Sequence, residues 1–339
     1  MFGKLTIAVS LAIPLAVSSA LAATNVACVG NSITEGYGIW SEKKYPDHLQ
    51  EMLGSDYAVT NFGVSSMTFA GATIKSGDNN SSYWKTEKFK AALASSPNIV
   101  VIELGTNDSK YFMESAGGNY NYLYGQCEKS QLYTDYEALI DTFAHLPTNP
   151  EIYATLQPYS NNVGWAIMDT AIVNQINPII KETATKKGVN IIDLHALFQT
   201  PAWFLDDSVH PNAKGAQELA KIVNKYITLA KPTLKQEQAT LQVNGNSYGV
   251  RWYKDGKIIE GSADKTSLTV SETGTYRALV KVEEGNDSWL LSEKIEVKDI
   301  GSGITRIKPA RQTAQPKMRK LHHKVDVKGR AVDSKPKSR

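Results

Sequence analysis

Val26-Ala27-Cys28-Val29-Gly30-Asn31-Ser32-Ile33-Thr34-Glu35-Gly36 is an apolar run that ends in a glycine-flanked turn with a serine at its centre. The apolar part suits a strand buried on both faces. Taken alone, Gly-Asn-Ser reads equally well as an ordinary turn, since all three residues favour turns. The reading changes far downstream, where Asp207-Ser208-Val209-His210-Pro211 offers the two partners an activated serine needs. A serine at a strand exit with a late Asp-x-x-His is the outline of a hydrolase.

Working outward from that strand, short apolar runs alternate with amphipathic helical patterns from Asn25 to about Ala230. The expected strands are Asn25–Val29, Ala58–Phe62, Ile99–Leu104, Glu151–Leu156 and Val189–Ile192. Helices are expected near Pro46–Leu53, Thr86–Ala94, Tyr133–His145, Ile167–Lys186 and Lys214–Ala230. This alternation predicts an α/β domain with a parallel sheet covered on both faces. In such sheets reactive groups gather beyond the carboxyl ends of the strands. Ser32, Gly63 and Asn107 each fall just after an expected strand.

A serine hydroxyl is a weak nucleophile and requires a base within hydrogen-bond reach and a group that orients the base. Ser32 with His210 fits the first two roles, and Asp207 or its neighbour Asp206 fits the third. Acyl transfer also develops charge on the former carbonyl oxygen, which N–H donors stabilise. Ser32 can offer its own N–H. Gly63, at the end of Asn61-Phe62-Gly63, lets the backbone approach a substrate closely. Asn107, in Gly105-Thr106-Asn107-Asp108, offers a side-chain amide. Each feature alone has a structural explanation: Gly105–Asp108 could be a turn or a helix cap, and Asn212 could simply cap the last helix. Their order, each at a strand end or helix start, is what argues for a shared site. Nucleophile-elbow hydrolases require Gly-x-Ser-x-Gly, and Thr34 stands where the second glycine would fall. His48, His145, His195 and His210 lack metal-ligand spacing. His195 reads as structural.

The chain has 339 residues, 42% hydrophobic and 21% charged, which suits one medium domain and a smaller one. Residues 1–22 combine a basic start, an apolar run from Leu5 to Val17 and Ala20-Leu21-Ala22, the pattern of a secretory signal peptide and hence of an exported, periplasmic or envelope-associated protein. Two cysteines are too few for a disulfide framework. Cys28 reads as a core residue, and a Cys28–Cys127 bond is not expected. Residues 24–230 form the first domain and 231–237 a linker. Residues 238–298 read as a small all-β unit, with Val250–Tyr253, Ser267–Val270 and Thr275–Val280 alternating at period two and an Asp255-Gly256 hairpin signal between the first two. Trp252 and Tyr276 are its expected central aromatics. The net charge of +3 conceals a split: residues 301–339 hold 12 Lys and Arg against 2 Asp and Glu, and the remainder 25 against 32. The segment 299–339 is expected to be a disordered basic tail, able to attach electrostatically to an anionic envelope.

Four blocks, Gly30-Asn31-Ser32-Ile33-Thr34, Gly63, Gly105-Thr106-Asn107-Asp108 and Asp207-Ser208-Val209-His210-Pro211, together resemble the signature of the SGNH (GDSL-type) hydrolases over residues 24–228. The resemblance implies a flavodoxin-like three-layer α/β/α fold. It makes Ser32 the nucleophile, His210 the base and Asp207 its orienter, with Ser32, Gly63 and Asn107 as oxyanion donors. Asn31 departs from the Asp of the best-known motif, and the turn is expected to survive. Residues 238–298 resemble immunoglobulin-like sandwiches appended to secreted bacterial enzymes, with a spacer or glycan-binding role. Residues 64–84 and 109–133 are long insertions expected to wall the site. The second carries Tyr111, Tyr120, Tyr122, Tyr124 and Tyr133, five of the 16 tyrosines, which suit sugar rings. Leu104–Lys110, Pro158-Tyr159 and Trp165-Ala166-Ile167 look most like the branch that holds sialate and xylan O-acetylesterases. The expectation is a secreted esterase acting on an O-acetylated carbohydrate, with no cofactor, metal ion or nucleic-acid partner. The alternatives are a lipase or lysophospholipase-like acylhydrolase and a non-catalytic glycan-binding envelope protein.

Overall fold

Strand β1 (Thr24–Gly30) runs straight into a single helical turn, α1 (Ser32–Glu35), in a computed structural model that describes residues 22–71, 81–112 and 127–300. The expected leader and basic tail lie outside the described residues, apart from the few at their inner margins. Helix α2 (Tyr45–Leu53), β2 (Tyr57–Gly63), α3 (Glu87–Ala94), β3 (Ile99–Glu103) and α4 (Lys129–Ala144) follow. Then come β4 (Glu151–Leu156), α5 (Asn177–Lys187), β5 (Asn190–Asp193) and α6 (Ala213–Thr228). The five strands pair in parallel in the order β2-β1-β3-β4-β5.

Successive strand side chains point to opposite faces. Val26 and Cys28 accordingly pack with Leu49 of α2 and with Leu219 and Val223 of α6. Ala27 and Val29 pack on the other face with Phe89, Leu139 and Ile179 of α3, α4 and α5. The result is the three-layer α/β/α architecture with the flavodoxin-like strand order. That order reverses direction between β1 and β3, which opens a crevice beyond their carboxyl ends. Register levels the exits: Gly30 lies opposite Gly63 on one side and Glu103 on the other.

The helix expected over Ile167–Lys186 is interrupted. Pro178 has no N–H for the carbonyl four residues back, and the turn before it widens to a π-helical Ile172–Ile176, with the Asn177 N–H reaching the Ile172 carbonyl. Asn177 then fastens the end of β4, accepting from the Gln157 N–H at 2.7 Å and donating to its carbonyl at 3.2 Å.

The linker assigned to 231–237 is half strand. Leu234–Glu237 forms β6 and pairs antiparallel with β7 (Thr240–Val243). The Asp255-Gly256 hairpin joins β8 (Val250–Lys254) to the two-residue β9 (Lys257–Ile258), while β10 (Ser267–Thr269) pairs with β7 instead. The remaining strands are β11 (Gly274–Lys281), β12 (Trp289–Leu291) and β13 (Ile295–Val297). Trp252 and Tyr276 are buried in the second core, among Leu241, Val250 and Val280. This β unit does not stand free. β12 pairs antiparallel with β5 through Trp289 and Ile191, so one sheet continues from the parallel strands into β12, β11, β8 and β9. Side chains extend that single backbone pair: Leu291 N–H donates to Asn190 Oδ1 (2.8 Å) and Asp193 N–H to Ser288 Oγ (3.0 Å). Cys28 and Cys127 are both free thiols.

Candidate active site

The turn after β1 is shaped by buried polar groups. Asn31 is the helix cap of α1, its Oδ1 accepting from the Ile33 N–H at 2.8 Å. Its amide donates to Glu103 Oε1 at 3.4 Å, and the Thr34 hydroxyl donates to Glu103 Oε2 at 2.9 Å. Glu103 is 1% exposed, and its burial pushes the carboxyl up to about 8 against the hydrogen bonds from Thr34 and Asn31. Side chains are excluded around this turn. A Cβ on Gly30 would sit 1.9 Å from Thr34 Oγ1, and one on Gly63 would sit 2.2 Å from the Glu35 backbone nitrogen.

This packing leaves the Ser32 hydroxyl facing His210. Ser32 Oγ lies 2.8 Å from His210 Nε2, and His210 Nδ1 lies 2.8 Å from Asp207 Oδ2. Asp207 is fixed in turn, its Oδ1 accepting from the N–H groups of Val209 and His210 at 2.9 Å each. Asp206 is exposed on the same loop, and the carboxylate that meets the ring is that of Asp207. The intervening Ser208 is left-handed (φ 58°), which folds the loop so that Asp207 and His210 share one side. Asn162 holds the loop from outside, donating to the Asp207 carbonyl at 3.1 Å.

The electrostatics match the geometry. Burial keeps the His210 imidazole below its ordinary value, with a contribution from the Lys110 charge, and together these outweigh the opposing pull of Asp207. Burial alone would raise Asp207, but the His210 N–H, the His210 ring and the Val209 N–H lower it overall. A neutral imidazole is therefore paired with an ionised carboxylate. A hydroxyl bonded to an imidazole whose far nitrogen is so held can pass its proton to the ring as it attacks an acyl carbon.

The oxyanion donors need one correction. Ser32 occupies the first helical position, where the N–H has no intrahelical acceptor. Asn107 is buried at the exit of β3, and one amide N–H reaches the Met67 carbonyl at 3.1 Å. Gly63, however, has its N–H committed to Asn61 Oδ1 at 2.9 Å. Its place in the site is to let β2 press against the backbone of Thr34 and Glu35. The free donor of that loop is three residues on. Ser66 is left-handed (φ 66°) and makes no backbone N–H bond to a described residue. It lies between Ser65, tied to Glu35 Oε2, and Met67, tied to Asn107.

Asp108 was legible only as part of a turn. Its carboxylate accepts from the N–H groups of Ala70 (3.0 Å) and Phe69 (3.2 Å), and so joins the loop after β2 to the exit of β3. Burial raises its carboxyl well above the ordinary range. His195 pairs with Asp169 at 3.0 Å and takes no part in the hydrogen bonds among Ser32, His210 and Asp207. Of the insertion tyrosines, Tyr111 and Tyr133 pack against the main core, and Tyr133 donates to Glu182 at 2.6 Å. Tyr120, Tyr122 and Tyr124 lie outside the described residues. Among the described residues no group of His, Cys, Asp and Glu could hold a metal ion.

Comparison with known proteins puts a family to this arrangement. The model of the GDSL-like lipase/acylhydrolase family matches residues 28–218, which takes in Ser32, Asn107, Asp207 and His210. The chain belongs to that family. This GDSL-like protein is 38% identical over 217 residues to an acetylxylan esterase of Xylanibacter ruminicola, covering 59% of the chain and 42% of that relative. It thus spans less than half of the relative's length. Among solved structures, it is similar to a catalytic mutant of an acetylxylan esterase from Geobacillus stearothermophilus (17% identity, TM-score 0.44, covering 62% of this chain and 96% of the other). A lipase/acylhydrolase from Enterococcus faecalis is similar at 18% identity and TM-score 0.44, covering 60% and 95%.

Proposed function

We propose that this GDSL-like protein is an esterase that removes O-acetyl groups from a carbohydrate polymer through an acetyl-enzyme on Ser32. The observation that carries the reading is the unbroken chain Ser32 Oγ–His210 Nε2 and His210 Nδ1–Asp207 Oδ2, 2.8 Å at each step. The likeness to an acetylxylan esterase supports the acetyl group and the sugar.

In this mechanism His210 Nε2 accepts the Ser32 proton as Oγ attacks the acetyl carbonyl. The oxyanion that forms is faced by the Ser32 N–H, the Asn107 amide and the Ser66 N–H, the last replacing Gly63. His210 then donates its proton to the departing sugar hydroxyl as the carbon–oxygen bond breaks. A water, deprotonated by the same nitrogen, clears the acetyl group and restores Ser32. Asp207 keeps the ring in the required tautomer and offsets its charge while it is protonated. The apolar start and basic tail of the sequence support an exported enzyme retained near an anionic surface.

The test is acetate release from acetylated xylan by wild type and by Ser32→Ala. The variant should lose on the order of 1,000-fold or more of the rate. Equal rates in the two proteins, or a wild-type preference for long-chain over acetyl esters, would overturn the proposal.

A further inference from the structure

Two aromatic side chains from separate segments meet at His210, and a third extends the row. The Tyr37 ring centroid is 4.4 Å from that of the imidazole, and Trp165 is 5.5 Å away on an edge-to-face contact. Trp40 extends the row, 5.3 Å from Tyr37, and Tyr37 and Trp165 are 6.2 Å apart. Tyr37 and Trp40 are nevertheless 37% and 63% exposed, and Val163, two residues before Trp165, is 61% exposed. Full burial of a large apolar side chain is worth roughly 1.5–3 kcal/mol. A contiguous group that forgoes this beside a reactive centre marks a surface that something else covers.

The surrounding chain holds these rings in place. Tyr37 lies between two left-handed glycines, Gly36 and Gly38 (φ 90° and 80°). Lys44 Nζ donates to the Trp40 carbonyl at 2.9 Å and to that of Glu42 at 2.7 Å. Trp165 is followed by Ala166 in a left-handed conformation (φ 55°), a cost that a non-glycine residue bears only where its surroundings impose it. Asn162 joins the two halves of the site: its Oδ1 accepts from the Trp165 N–H at 3.1 Å and its amide donates to the Asp207 carbonyl at 3.1 Å. One side chain thus ties the backbone of a rim aromatic to the backbone of the residue that orients the base.

The position of the rim identifies its occupant. During ester cleavage the departing alcohol must lie against His210, which protonates it, whereas the acyl oxygen turns towards Asn107 and Ser66. The aromatic rim flanks His210, so it borders the alcohol portion of the ester. An open shelf of Tyr and Trp rings, with polar O–H and N–H edges, matches a pyranose, which presents C–H groups on its face and hydroxyls at its edge. We propose that Tyr37, Trp40 and Trp165 form the platform that holds the sugar bearing the acetyl group, with Trp40 under the neighbouring sugar unit of the chain. This rests on the esterase reading above and assigns the sugar recognition to residues outside the tyrosine-rich insertion.

The test is a comparison of kcat and KM for acetate release from partially O-acetylated xylo-oligosaccharides and for hydrolysis of 4-nitrophenyl acetate, in wild type, Trp40→Ala and Trp40→Phe. Trp40→Ala should raise KM for the oligosaccharide and lower the oligosaccharide-to-nitrophenyl selectivity about ten-fold, the scale of one aromatic ring contact. Trp40→Phe should recover most of it. A selectivity ratio unchanged in Trp40→Ala, including a parallel fall on both substrates, overturns the platform while leaving the esterase reading in place. A wild type that hydrolyses 4-nitrophenyl acetate but releases no acetate from the oligosaccharide overturns the carbohydrate reading and the platform with it.

Discussion

The floor and the rim of this site break the usual partition of side chains in opposite ways. On the floor, Asn31, Thr34 and Glu103 are polar and at most 1% exposed; on the rim, Trp40 is apolar and 63% exposed. Buried polar groups are tolerated where each finds a partner, and here they find one another: Asn31 and Thr34 donate to Glu103, and Asn31 caps the turn that carries Ser32. Exposed aromatics are tolerated where a ligand covers them in use. The floor therefore fixes the reacting atoms, and the rim recognises what surrounds them. The departure of Asn31 from the more familiar Asp belongs with the floor. An amide can donate to the Glu103 carboxyl beneath it, while an aspartate would set a second acid against the first.

If the floor serves the chemical step, its variants should lower kcat. Asn107→Ala, which removes a proposed oxyanion donor, should cost on the order of 100- to 1,000-fold in kcat with little change in KM. A loss confined to KM would move Asn107 from the floor to the rim. The Trp40 variants described above should show the reverse split and a smaller effect. The smallest expected change in rate is that of Glu103→Gln, which keeps an acceptor for Asn31 and turns the Thr34 hydroxyl from donor to acceptor. Its signature is in stability against pH. Glu103 has an ordinary value of 4.5 and rises to about 8 in the fold. Between those values the folded protein retains a proton that the unfolded chain has lost, so this group's contribution to stability falls as pH rises through the window. In denaturant melts at about pH 5 and about pH 8, the advantage of Glu103→Gln over wild type should therefore grow with pH. Parallel curves would show that Glu103 ionises alike in both states.

The parallel sheet was legible because its strands are apolar runs bounded by turn residues, and the observed ends fall within one residue of those expected, from Thr24–Gly30 to Asn190–Asp193. The positions of Ser32, Asp207 and His210 were legible from short motifs, each tied to a strand exit or a helix start. What was hidden depended on contacts across the chain. Glu103 is the last residue of an apolar strand, and nothing around it in sequence signals a buried carboxyl. Gly63 carried the right residue type at the right strand end, yet Asn61, two residues back, takes its N–H. Of the rim aromatics only Trp165 stood in a recognisable block, and its meeting with Tyr37 and Trp40 depends on how the chain turns at Gly36, Gly38 and Ala166. The docking of the β unit on β5 joins Trp289 to Ile191, nearly a hundred residues apart, and leaves no periodic trace. The Asp255-Gly256 turn was correctly placed, but its partner strand is only two residues long, too short to register as a pattern.

The central claim is that Ser32 carries the acyl group between its donor and water. Wild-type enzyme mixed with an O-acetylated oligosaccharide, quenched in acid during turnover and mapped by peptide mass spectrometry, tests it directly. The peptide containing Ser32 should gain the mass of one acetyl group, and the gain should vanish in Ser32→Ala. Acetate release in turnover with the acetyl group on another residue would contradict the account.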